Sequence, residues 1–511
     1  MMLRDLLEAL PGAEVRGEVA TPVLAITHDS RRAVRGSLFV AIRGYRQDGH
    51  DYVLDALRRG SRVIVGEQPI DPRPGTSVVT VPDSRVALAE LAARFYGYPS
   101  RRLRLIGVTG TNGKTTTTHL IRAILRKAGH RVGLVGTIEN LVDDEPRPAE
   151  RTTPEPPELQ GLLAEMVGRG CTHAVMEVSS HALELERVRR CEFDLGIFTN
   201  LTQDHLDFHG SLSTYLEAKA RLFSSLGRAA RGDPKPGPKV AILNDDDPAS
   251  DLIEQRTAVP VSRYGLKGSA PVRAENLVVG AGGTAFTLVT PAGTARIELK
   301  LRARFNVYNA LAAAAAGLAQ GVTVPVIADA LEEISGVTGR MEVVHAGQDF
   351  TVLVDYAHTP DGLENILQTA RELAEGRVVL VFGCGGDRDR GKRPLMGRLA
   401  ARYADYTVIT SDNPRSEDPA SIIREVEAGV RAEGLSRRGY ETIVDREHAI
   451  ARAIDLAGPG DMVLIAGKGH ETYQIFRDRV IEFDDREVAR RKLRERLRSV
   501  RRLPPVRGIV L

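Results

Sequence analysis

A glycine-rich loop between an apolar strand and an amphipathic helix constrains the fold of this chain more than any other feature. Residues 103–108 form an apolar run that predicts a strand, and apolar side chains then recur at helical spacing over residues 120–125. Gly129 follows as the expected C-terminal helix cap. The intervening loop, residues 109–115, reads Thr-Gly-Thr-Asn-Gly-Lys-Thr. The order strand, loop, helix predicts an α/β domain whose loop binds phosphate at a helix N-terminus.

The residue types in this loop suit nucleotide binding. The backbone N–H groups can surround phosphate oxygens, the Lys114 ammonium can neutralise the β- and γ-phosphates, and the Thr115 hydroxyl can reach Mg²⁺. Val108 stands where the general pattern has its first glycine, so a chance Gly-Lys-Thr loop is the alternative interpretation. The predicted ATP-binding residues of the loop are Gly110, Thr111, Asn112, Gly113, Lys114, Thr115 and Thr116.

The length of 511 residues predicts about three domains rather than one core. We place an N-terminal α/β domain at residues 1–100, a central P-loop domain at 101–337 and a C-terminal α/β domain at 338–511. In the C-terminal domain, four short apolar runs alternate with helical stretches, and each run ends in a polar or glycine-rich tip. This pattern predicts a parallel sheet, with functional residues beyond the carboxyl ends of its strands.

Composition and charge exclude several classes of function. No apolar run reaches the ~20 residues that a membrane-spanning helix needs, and no signal-peptide pattern is present. The three cysteines, Cys171, Cys191 and Cys384, form neither a zinc pattern nor a disulfide framework. The net charge of +3 does not indicate nucleic-acid binding, and the basic run at residues 486–502 predicts an exposed terminal helix. We therefore expect a cytoplasmic enzyme.

Lysine is scarce in this chain, which makes its positions informative. Only 10 of the 70 Lys and Arg residues are lysine. Four of the lysines lie in candidate motifs: Lys114, Lys219, Lys392 and Lys468. A lysine amine has an accessible neutral form, which a guanidinium lacks. Glu177 and His205 stand at the ends of two further predicted strands and could bind divalent cations. The alternative for each of these residues is a surface or capping role.

Seven motifs follow one another along nearly the whole chain. They are residues 110–115 (Gly-Thr-Asn-Gly-Lys-Thr), 176–181 (Met-Glu-Val-Ser-Ser-His), 199–205 (Thr-Asn-Leu-Thr-Gln-Asp-His), 218–219 (Ala-Lys), 305–309 (Phe-Asn-Val-Tyr-Asn), 339–342 (Gly-Arg-Met-Glu) and 355–360 (Asp-Tyr-Ala-His-Thr-Pro). Their arrangement resembles that of the Mur ligases. The resemblance implies ATP-dependent amide-bond formation by a UDP-binding N-terminal domain, a central ATPase domain and a Rossmann-like C-terminal domain that receives an amino acid.

The resemblance also implies roles for individual residues. The catalytic centre would comprise Lys114, Glu177, His205 and Lys219. Mg²⁺ would be held by Thr115, Glu177, His205 and a Lys219 carbamylated by CO₂. The nucleotide would also contact Asn309, Arg340 and Asp355. The UDP-muramoyl-dipeptide would be held by Ser30, Thr152, Thr153, Ser179 and Arg187. The incoming amino acid would be held by Arg388, Asp412, Asn413, Pro414, Arg415, Gly467 and Glu471.

The chemistry of these residues fits the implied roles. A carbamate turns a cation into an anionic oxygen ligand, which suits Mg²⁺, and arginine cannot form one. Arg388 and Arg415 can clamp carboxylates with two parallel hydrogen bonds, and Glu471 can pair with an ammonium. An amino acid with two carboxylates and two amines needs both kinds of partner. The alternative is that these residues are ordinary polar loop tips.

Within the family, Asp-Asn-Pro-Arg at residues 412–415 implies addition of meso-diaminopimelate to UDP-N-acetylmuramoyl-L-alanyl-D-glutamate through an acyl phosphate, a step of peptidoglycan precursor synthesis. Lysine-adding members replace the arginine, so Arg415 discriminates this alternative. Folylpolyglutamate synthetase is more remote, because it lacks the N-terminal domain suggested by residues 27–32. A non-catalytic nucleotide-binding scaffold would be expected to lose Lys114, Glu177 or Lys219, and all three are present.

Overall fold

The computed structural model describes residues 1–44, 47–229, 232–280, 282–434 and 439–502, with side chains described as far as residue 498. Three large sheets follow one another along the chain, and the predicted α/β class is confirmed. Within the described ranges, no helix combines the length and the apolar character that crossing a bilayer requires.

The N-terminal sheet is small and mostly parallel. Its elements are α1 (Leu3–Leu7), β1 (Glu14–Arg16), β2 (Ala25–Thr27), β3 (Ser37–Val40), α2 (Val53–Arg58), β4 (Val63–Gly66), β5 (Ser77–Thr80) and α3 (Ser84–Phe95). The strand order is β1-β5-β4-β3-β2, with β1 antiparallel to β5. Leu38 and Val40 pack on one face and Phe39 on the other, as the alternation of side chains along a strand requires.

The central sheet begins with the strand that precedes the glycine-rich loop. Its elements are β6 (Arg104–Thr109), α4 (Lys114–Lys127), β7 (Val132–Val135), β8 (Asn140–Val142), β9 (Glu145–Arg147), α5 (Pro156–Gly168), β10 (His173–Glu177), α6 (Ser180–Glu184), β11 (Leu195–Phe198), α7 (Leu206–His209), α8 (Leu212–Ser225), β12 (Val240–Asn244), α9 (Ala249–Glu254), β13 (Val261–Gly265), β14 (Val272–Gly280), β15 (Gly283–Thr290), β16 (Gly293–Leu299), α10 (Arg304–Ala319) and α11 (Val324–Glu333).

Strand β6 lies inside this eleven-stranded sheet, between β11 and β10, and pairs with both in parallel. The carboxyl ends of the three strands therefore meet at one edge, where the loop after β6 begins. One face of the sheet is covered by α4 and α10, and the other by α5 and α8. The alanines of α10 from Ala310 to Ala316 are all buried, so this apolar helix packs inside the domain.

The C-terminal sheet contains the four predicted parallel strands. The elements are β17 (Glu342–Val343), β18 (Thr351–Asp355), α12 (Pro360–Leu373), β19 (Val378–Phe382), α13 (Lys392–Tyr403), β20 (Tyr406–Ile409), α14 (Pro419–Ala432), β21 (Gly439–Thr442), α15 (Arg446–Leu456), β22 (Met462–Ala466), β23 (Tyr473–Ile475), β24 (Val480–Glu482) and α16 (Asp485–Arg502). The main order is β17-β18-β22-β19-β20-β21, and β23 and β24 form a separate hairpin.

Helices cover both faces of this sheet. Side chains of α12, α13 and α14 pack against one face, and those of α15 and α16 against the other. The prediction that the basic terminal segment is simply exposed is wrong for one side of α16. Val488, Ala489 and Leu493 are buried against α15 and the sheet, because the arginines of the segment alternate with an apolar stripe.

Candidate active site

The backbone of the phosphate loop requires glycine at two positions. Gly110 has φ +149° and Gly113 has φ +86°, conformations that residues with a side chain rarely adopt. A Cβ at position 110 would lie 1.8 Å from Thr199 Oγ1, and one at position 113 would lie 2.5 Å from Asn309 Oδ1. These close approaches hold the loop between the tip of β11 and helix α10. The two glycines are therefore needed for the loop's shape.

Lys114 is the first residue of α4, and its ammonium folds back over the loop. Its Nζ donates to the carbonyl oxygens of Gly110 at 3.0 Å and Thr111 at 2.8 Å. Burial lowers the pKa of Lys114, and the nearby Glu177 carboxylate opposes that shift. A lysine at the N-terminus of a 14-residue helix places positive charge beside the exposed N–H groups of the first turn. This arrangement can bind the phosphates of a nucleotide.

Glu177, the last residue of β10, gathers hydroxyl and amide donors from two neighbouring segments. Its carboxylate oxygens accept hydrogen bonds from Thr115 Oγ1 at 3.0 and 3.1 Å. They also accept from the Thr137 backbone N–H at 2.8 Å and from Thr137 Oγ1 at 3.0 Å. The residue is only 1% exposed. The structure therefore joins two of the four predicted metal ligands, Thr115 and Glu177, in one oxygen-rich cluster.

His205 lies in the segment that follows β11, at the same edge of the sheet as Glu177 but on the other side of β6. Its backbone is left-handed, with φ +55°, and its Nε2 lies 3.2 Å from Asp204 Oδ2. Burial lowers the pKa of His205 to about 3, although the Asp204 carboxylate acts in the other direction. The imidazole is therefore neutral at pH 7, the form in which histidine binds metals. The described residues contain no group of three His, Cys, Asp or Glu arranged to hold a metal.

Lys219 does not line the cleft with the other predicted metal ligands. It lies on α8, is 1% exposed, and its Nζ donates to the Gly110 carbonyl oxygen at 2.9 Å. The ammonium also lies 4.0 Å from the centre of the Tyr215 ring. Burial, together with the positive charge of Lys114, holds the pKa of Lys219 well below its usual range. The amine is thus buried against the phosphate loop in an environment that favours its neutral form.

The C-terminal domain reaches the phosphate loop directly. Arg340 Nη2 donates to Thr115 Oγ1 at 3.0 Å, and its guanidinium lies 4.6 Å from the centre of the Tyr356 ring. Asp355 accepts from the backbone N–H groups of Met341 and Ala357, each at 2.7 Å. A second link runs from Asn112 Nδ2 to Asp361 Oδ2 at 2.6 Å. The predicted nucleotide contacts Arg340 and Asp355 therefore lie beside the loop.

Four of the predicted dipeptide contacts form a network next to Glu177. Thr153 Oγ1 donates to the Glu177 carbonyl oxygen at 2.8 Å and accepts from the Ser179 N–H at 3.1 Å. Arg187 Nη1 donates to the Thr153 carbonyl oxygen at 3.2 Å. Thr152 Oγ1 accepts from Thr137 Oγ1 at 3.0 Å. Ser30, the fifth predicted contact, lies apart from this network in the N-terminal domain.

The tips of three strands in the C-terminal sheet bring two arginines together. Arg415 Nη1 donates to the Gly386 carbonyl oxygen at 2.8 Å, and Arg388 Nη1 donates to the Asp387 carbonyl oxygen at 2.9 Å. Among the residues that the structure describes, neither guanidinium forms an ion pair with a carboxylate. Burial and the charge of Arg415 lower the pKa of Arg388. Positive charge therefore accumulates at this end of the cleft.

Negative charge lies close to the two arginines. Glu471 Oε2 accepts from Asn413 Nδ2 at 2.8 Å and from the buried Lys468 Nζ at 2.8 Å. Burial disfavours the charged form of Asp412, yet Lys468 and Arg446 hold its pKa below the usual value. Asp412 and Glu471 are thus held at the same tips as the arginines. The pocket can accept both carboxylate and ammonium groups.

One cleft of about 620 Å³ connects the phosphate loop with these arginines. The predicted site residues that line it are Thr111, Asn112, Gly113, Lys114, Thr115, Thr116, Thr152, Thr153, Glu177, Ser179, Arg187, His205, Asn309, Arg340, Asp355, Arg388, Asp412, Asn413, Arg415, Gly467 and Glu471. Those that do not line it are Ser30, Gly110, Lys219 and Pro414. Gly110 and Pro414 instead shape the backbone beside the cleft, where Pro414 contacts Gly386.

Several lining residues were not predicted as site residues. They include Thr137, His181, Asp204, Tyr356, His358, Asp361 and Lys392. Asp204, Tyr356 and His358 lie inside motifs that were recognised, so their positions in those motifs were the available signal. Lys392 is 6% exposed and forms no hydrogen bond or ion pair within the described part of the chain. Two signals in the sequence pointed to it: the scarcity of lysine and its place in the polar segment of residues 386–392, which follows an apolar run.

Comparison with known proteins agrees with this architecture. Three family models match in order: Mur ligase family, catalytic domain, at residues 22–96; Mur ligase middle domain at 108–317; and Mur ligase, glutamate ligase domain, at 339–469. A UDP-N-acetylmuramoyl-L-alanyl-D-glutamate--2,6-diaminopimelate ligase from Geobacillus thermodenitrificans is 53% identical over 496 residues, covering 97% of this chain and 100% of the relative. A relative of the same name from Geobacter metallireducens is 45% identical, covering 97% of this chain and 99% of its own length.

Solved structures give the same result. The solved structure of a UDP-N-acetylmuramoyl-L-alanyl-D-glutamate--2,6-diaminopimelate ligase matches this chain with a TM-score of 0.65 at 33% identity. The match covers 97% of this chain and 100% of that chain. Mycobacterium tuberculosis folylpolyglutamate synthase complexed with ADP has a TM-score of 0.60 at 20% identity, covering 74% of this chain and 91% of that chain, and is similar in fold alone. The identity to full-length relatives decides the assignment: this chain belongs to the Mur ligase family.

Proposed function

We propose that this chain adds meso-diaminopimelate to UDP-N-acetylmuramoyl-L-alanyl-D-glutamate at the expense of ATP. The observation that carries the proposal is a single cleft with a phosphate loop at one end and, at the other, two arginines that have no ion-paired carboxylate in the described part of the chain. The relatives that are 53% and 45% identical over nearly their full lengths bear the name of this reaction, which supports it further.

In the first half of the reaction, ATP binds along the phosphate loop. The D-glutamate γ-carboxylate of the dipeptide attacks the γ-phosphate, so that an acyl phosphate forms and ADP leaves. Lys114 and Arg340 lie where they can neutralise the transferring phosphoryl group, because both side chains lie against the loop. The network of Thr152, Thr153 and Arg187 can hold the dipeptide beside them. Positioning and charge stabilisation are the protein's contribution.

The residues around Glu177 fit a magnesium site. Mg²⁺ prefers oxygen ligands, and the Thr115 hydroxyl and Glu177 carboxylate already contact each other at 3.0 Å. His205, whose pKa is lowered by partial burial, and a carbamylated Lys219 would complete the set. Bound Mg²⁺ would supply a positive charge that stabilises the phosphate oxygens. The burial of Lys219 supports carbamylation, because it lowers the pKa of the amine and so favours the neutral form that reacts with CO₂.

In the second half, an amine of diaminopimelate attacks the activated carbonyl and phosphate leaves. Arg388 and Arg415 are proposed to bind a carboxylate of the amino acid, since each is fixed by a backbone carbonyl and has donors to spare. Glu471 and Asp412 are the proposed partners of the second ammonium. Asn413, Pro414 and Gly467 would complete the pocket by setting the backbone of the tips.

The three predicted domains divide these tasks. Residues 1–100, with Ser30, are proposed to hold the UDP group, and residues 101–337 are proposed to hold ATP and the dipeptide. Residues 338–511 are proposed to receive the amino acid. Arg32 supports a fixed relation between the first two, because its guanidinium donates to Glu150 at 2.6 Å and Glu158 at 3.0 Å in the central domain.

The nearest alternative is addition of lysine by the same mechanism. Arg415 favours diaminopimelate, because lysine has no second carboxylate to pair with it. Folylpolyglutamate synthesis is disfavoured by the match of residues 22–96 to a Mur ligase domain model. A scaffold without activity is disfavoured by the presence of Lys114, Glu177 and Lys219 together.

Phosphate release by the purified chain tests the proposal. We expect release only when ATP, Mg²⁺, UDP-N-acetylmuramoyl-L-alanyl-D-glutamate and meso-diaminopimelate are all present, and removal of Mg²⁺ by a chelator should abolish it. Controls omit one component at a time. Phosphate release that does not depend on the UDP substrate and the amino acid would contradict the proposed ligase.

A further inference from the structure

We propose that the buried ion pair of Arg446 and Asp485 is the positioning device of the amino-acid pocket, tying together the two strand tips that carry Asp412 and Gly467. Neither residue lines the cleft. The proposal rests on the proposed function, because it concerns how that function's diamino acid is bound.

The pair is completely enclosed. Both side chains are 0% exposed, and they form two parallel hydrogen bonds, from Arg446 Nε to Asp485 Oδ1 and from Arg446 Nη2 to Asp485 Oδ2, each at 2.8 Å. Asp485 is the first residue of α16, and Arg446 is the first residue of α15. Two helices on the same face of the sheet are thereby joined at their N-termini, below the carboxyl ends of the strands.

The remaining donors of Arg446 reach the strand tips. Nη1 donates to the Ser411 carbonyl oxygen at 3.2 Å, and Nη2 donates to the Ala466 carbonyl oxygen at 3.0 Å. Ser411 directly precedes Asp412, and Ala466 directly precedes Gly467. One guanidinium therefore holds the backbone immediately before both pocket segments.

The sheet itself does not make this connection. Strands β20 and β22 are not neighbours, since β19 lies between them. Their backbones would be about 9–10 Å apart if the strand spacing continued unchanged. Beyond the end of β19 the two tips instead converge, and a Cβ at position 467 would lie 2.8 Å from Asp412 Oδ2. Backbone hydrogen bonds still join each tip to its outer neighbour, from Gly467 N–H to the Asp355 carbonyl oxygen at 3.0 Å and from Ser411 N–H to the Val444 carbonyl oxygen at 3.4 Å. Arg446 adds the connection between the two tips, because it bonds to the backbone before both.

A buried ion pair is a poor means of stabilising a fold, because removing two charges from water offsets most of their attraction. Apolar residues of similar size often give equal stability at such a place. They cannot donate to the Ser411 and Ala466 carbonyl oxygens. Positioning of the tips is therefore the function that distinguishes this pair from an apolar contact.

The double variant Arg446→Met/Asp485→Leu tests the proposal. We expect its melting temperature to stay within about 4 °C of the wild type. Its KM for meso-diaminopimelate should rise about tenfold to a hundredfold, because small displacements of binding groups have large effects. Its KM values for ATP and the UDP substrate should stay unchanged, since the side-chain hydrogen bonds of Arg446 go to Asp485, Ser411 and Ala466, none of which is proposed to bind either substrate. If the double variant does not fold, Asp485→Asn keeps the side chain's volume and should raise the same KM about threefold to tenfold.

A matched control is Arg377→Met, which removes an ion pair with Asp461 at the opposite end of β19 and β22. It should leave the KM for diaminopimelate unchanged. The proposal is overturned if a folded pair variant keeps the wild-type KM for diaminopimelate, or if all three KM values change by the same factor. Phosphate release by the wild type is first measured with and without meso-diaminopimelate. If it does not depend on the amino acid, the proposed function has failed; if it does, the variants test the role of the ion pair alone.

Discussion

The two ends of the cleft differ in how their positively charged side chains are held. At the phosphate end, Lys114 is bonded to the carbonyl oxygens of its own loop, and Glu177 accepts from Thr115 and Thr137. At the amino-acid end, Arg388 and Arg415 lie together, and within the described residues no carboxylate is ion-paired with either. Cations at both ends lack an ion-paired carboxylate within the described residues, but those of the first end bond to the phosphate loop, whereas Arg388 and Arg415 bond to carbonyl oxygens at their own strand tips and keep donors for a ligand carboxylate.

This difference suggests that the two ends select their ligands by different means. The phosphate loop offers a fixed backbone shape, set by Gly110 and Gly113, to any nucleotide with the right phosphates. The amino-acid end offers two arginines with donors to spare, which favour a ligand with an extra carboxylate and penalise one without it. Variants at the phosphate end should therefore stop the reaction, and variants at the amino-acid end should change its substrate.

The largest effect is expected at the phosphate end. Lys219→Arg should lower kcat by about a thousandfold, because a guanidinium cannot form the proposed carbamate and a metal ligand is lost. Phosphate release measures the loss, and circular dichroism checks that the fold is kept. Full activity in this variant would show that Lys219 is an ordinary buried lysine.

A rescue experiment sharpens this prediction. Lys219→Ala leaves a space beside Gly110 in place of the buried amine. Small carboxylic acids added to Lys219→Ala should restore part of the activity by supplying the missing oxygen ligand, and they should not restore Lys219→Arg. Equal responses of the two variants would contradict the proposed role.

A smaller and more selective effect is expected at the amino-acid end. Arg415→Ala should lower kcat/KM for meso-diaminopimelate by about tenfold to several hundredfold, because a charge-assisted hydrogen-bond pair is lost. The ATP and Mg²⁺ requirements should not change. Kinetics with diaminopimelate and with lysine measure the preference, and an unchanged preference would contradict the assignment of Arg415.

The backbone at Arg415 needs its own control. Its φ of +53° is left-handed, a conformation that asparagine tolerates better than alanine. Arg415→Asn should therefore show the same loss of preference with less backbone strain. If Arg415→Asn behaves like the wild type, the effect of alanine came from the backbone rather than from the lost charge.

The smallest effect is expected for the ion pair of Arg393 and Glu417, which lies next to the strand tip that carries Arg388. The Arg393 guanidinium lowers the pKa of Glu417 to about 2, and Glu417 also accepts from the Asp387 N–H at 2.6 Å. Because the folded-state pKa is lowered, the stabilisation is present above the unfolded value near 4.5 and is lost as pH falls towards 2. Glu417→Gln should lower stability by about 1 kcal/mol at pH 7, after allowance for solvent screening.

Thermal unfolding of wild type and Glu417→Gln across this pH range measures the effect. The difference between the two melting temperatures should be constant above about pH 5 and should shrink to a small fraction of that value by about pH 2. A difference that persists unchanged at pH 2 would show that the charge of Glu417 does not stabilise this region.

The sequence predicted the phosphate end more directly than the amino-acid end, for a physical reason. The loop, its strand and its helix are contiguous, so local spacing was enough to predict them. The amino-acid end combines tips at residues 385–388, 412–415 and 467–471, which a sheet brings together over long separations. Their convergence was predicted only through the rule that parallel strands end at one edge.

Contacts between domains and beneath the pocket were not predictable in this way. Arg340 and its hydrogen-bond partner Thr115 are 225 residues apart in the sequence, and Arg446 and Asp485 are 39 residues apart. No motif and no periodic pattern of apolar residues contains both members of either pair. The position of Lys219 away from the cleft also depends on how α8 packs against the loop. Such contacts follow from the packing of whole elements, which a local pattern does not specify.

A competition assay tests directly whether the amino-acid end selects meso-diaminopimelate over lysine. Purified chain receives ATP, Mg²⁺ and UDP-N-acetylmuramoyl-L-alanyl-D-glutamate with equal concentrations of meso-diaminopimelate and L-lysine, and the products are separated by mass. The diaminopimelate product, which carries one more carboxyl group, should dominate by about tenfold or more, because lysine has no second carboxylate for Arg415 to bind. A lysine product in excess, or equal amounts of the two, would contradict this expectation.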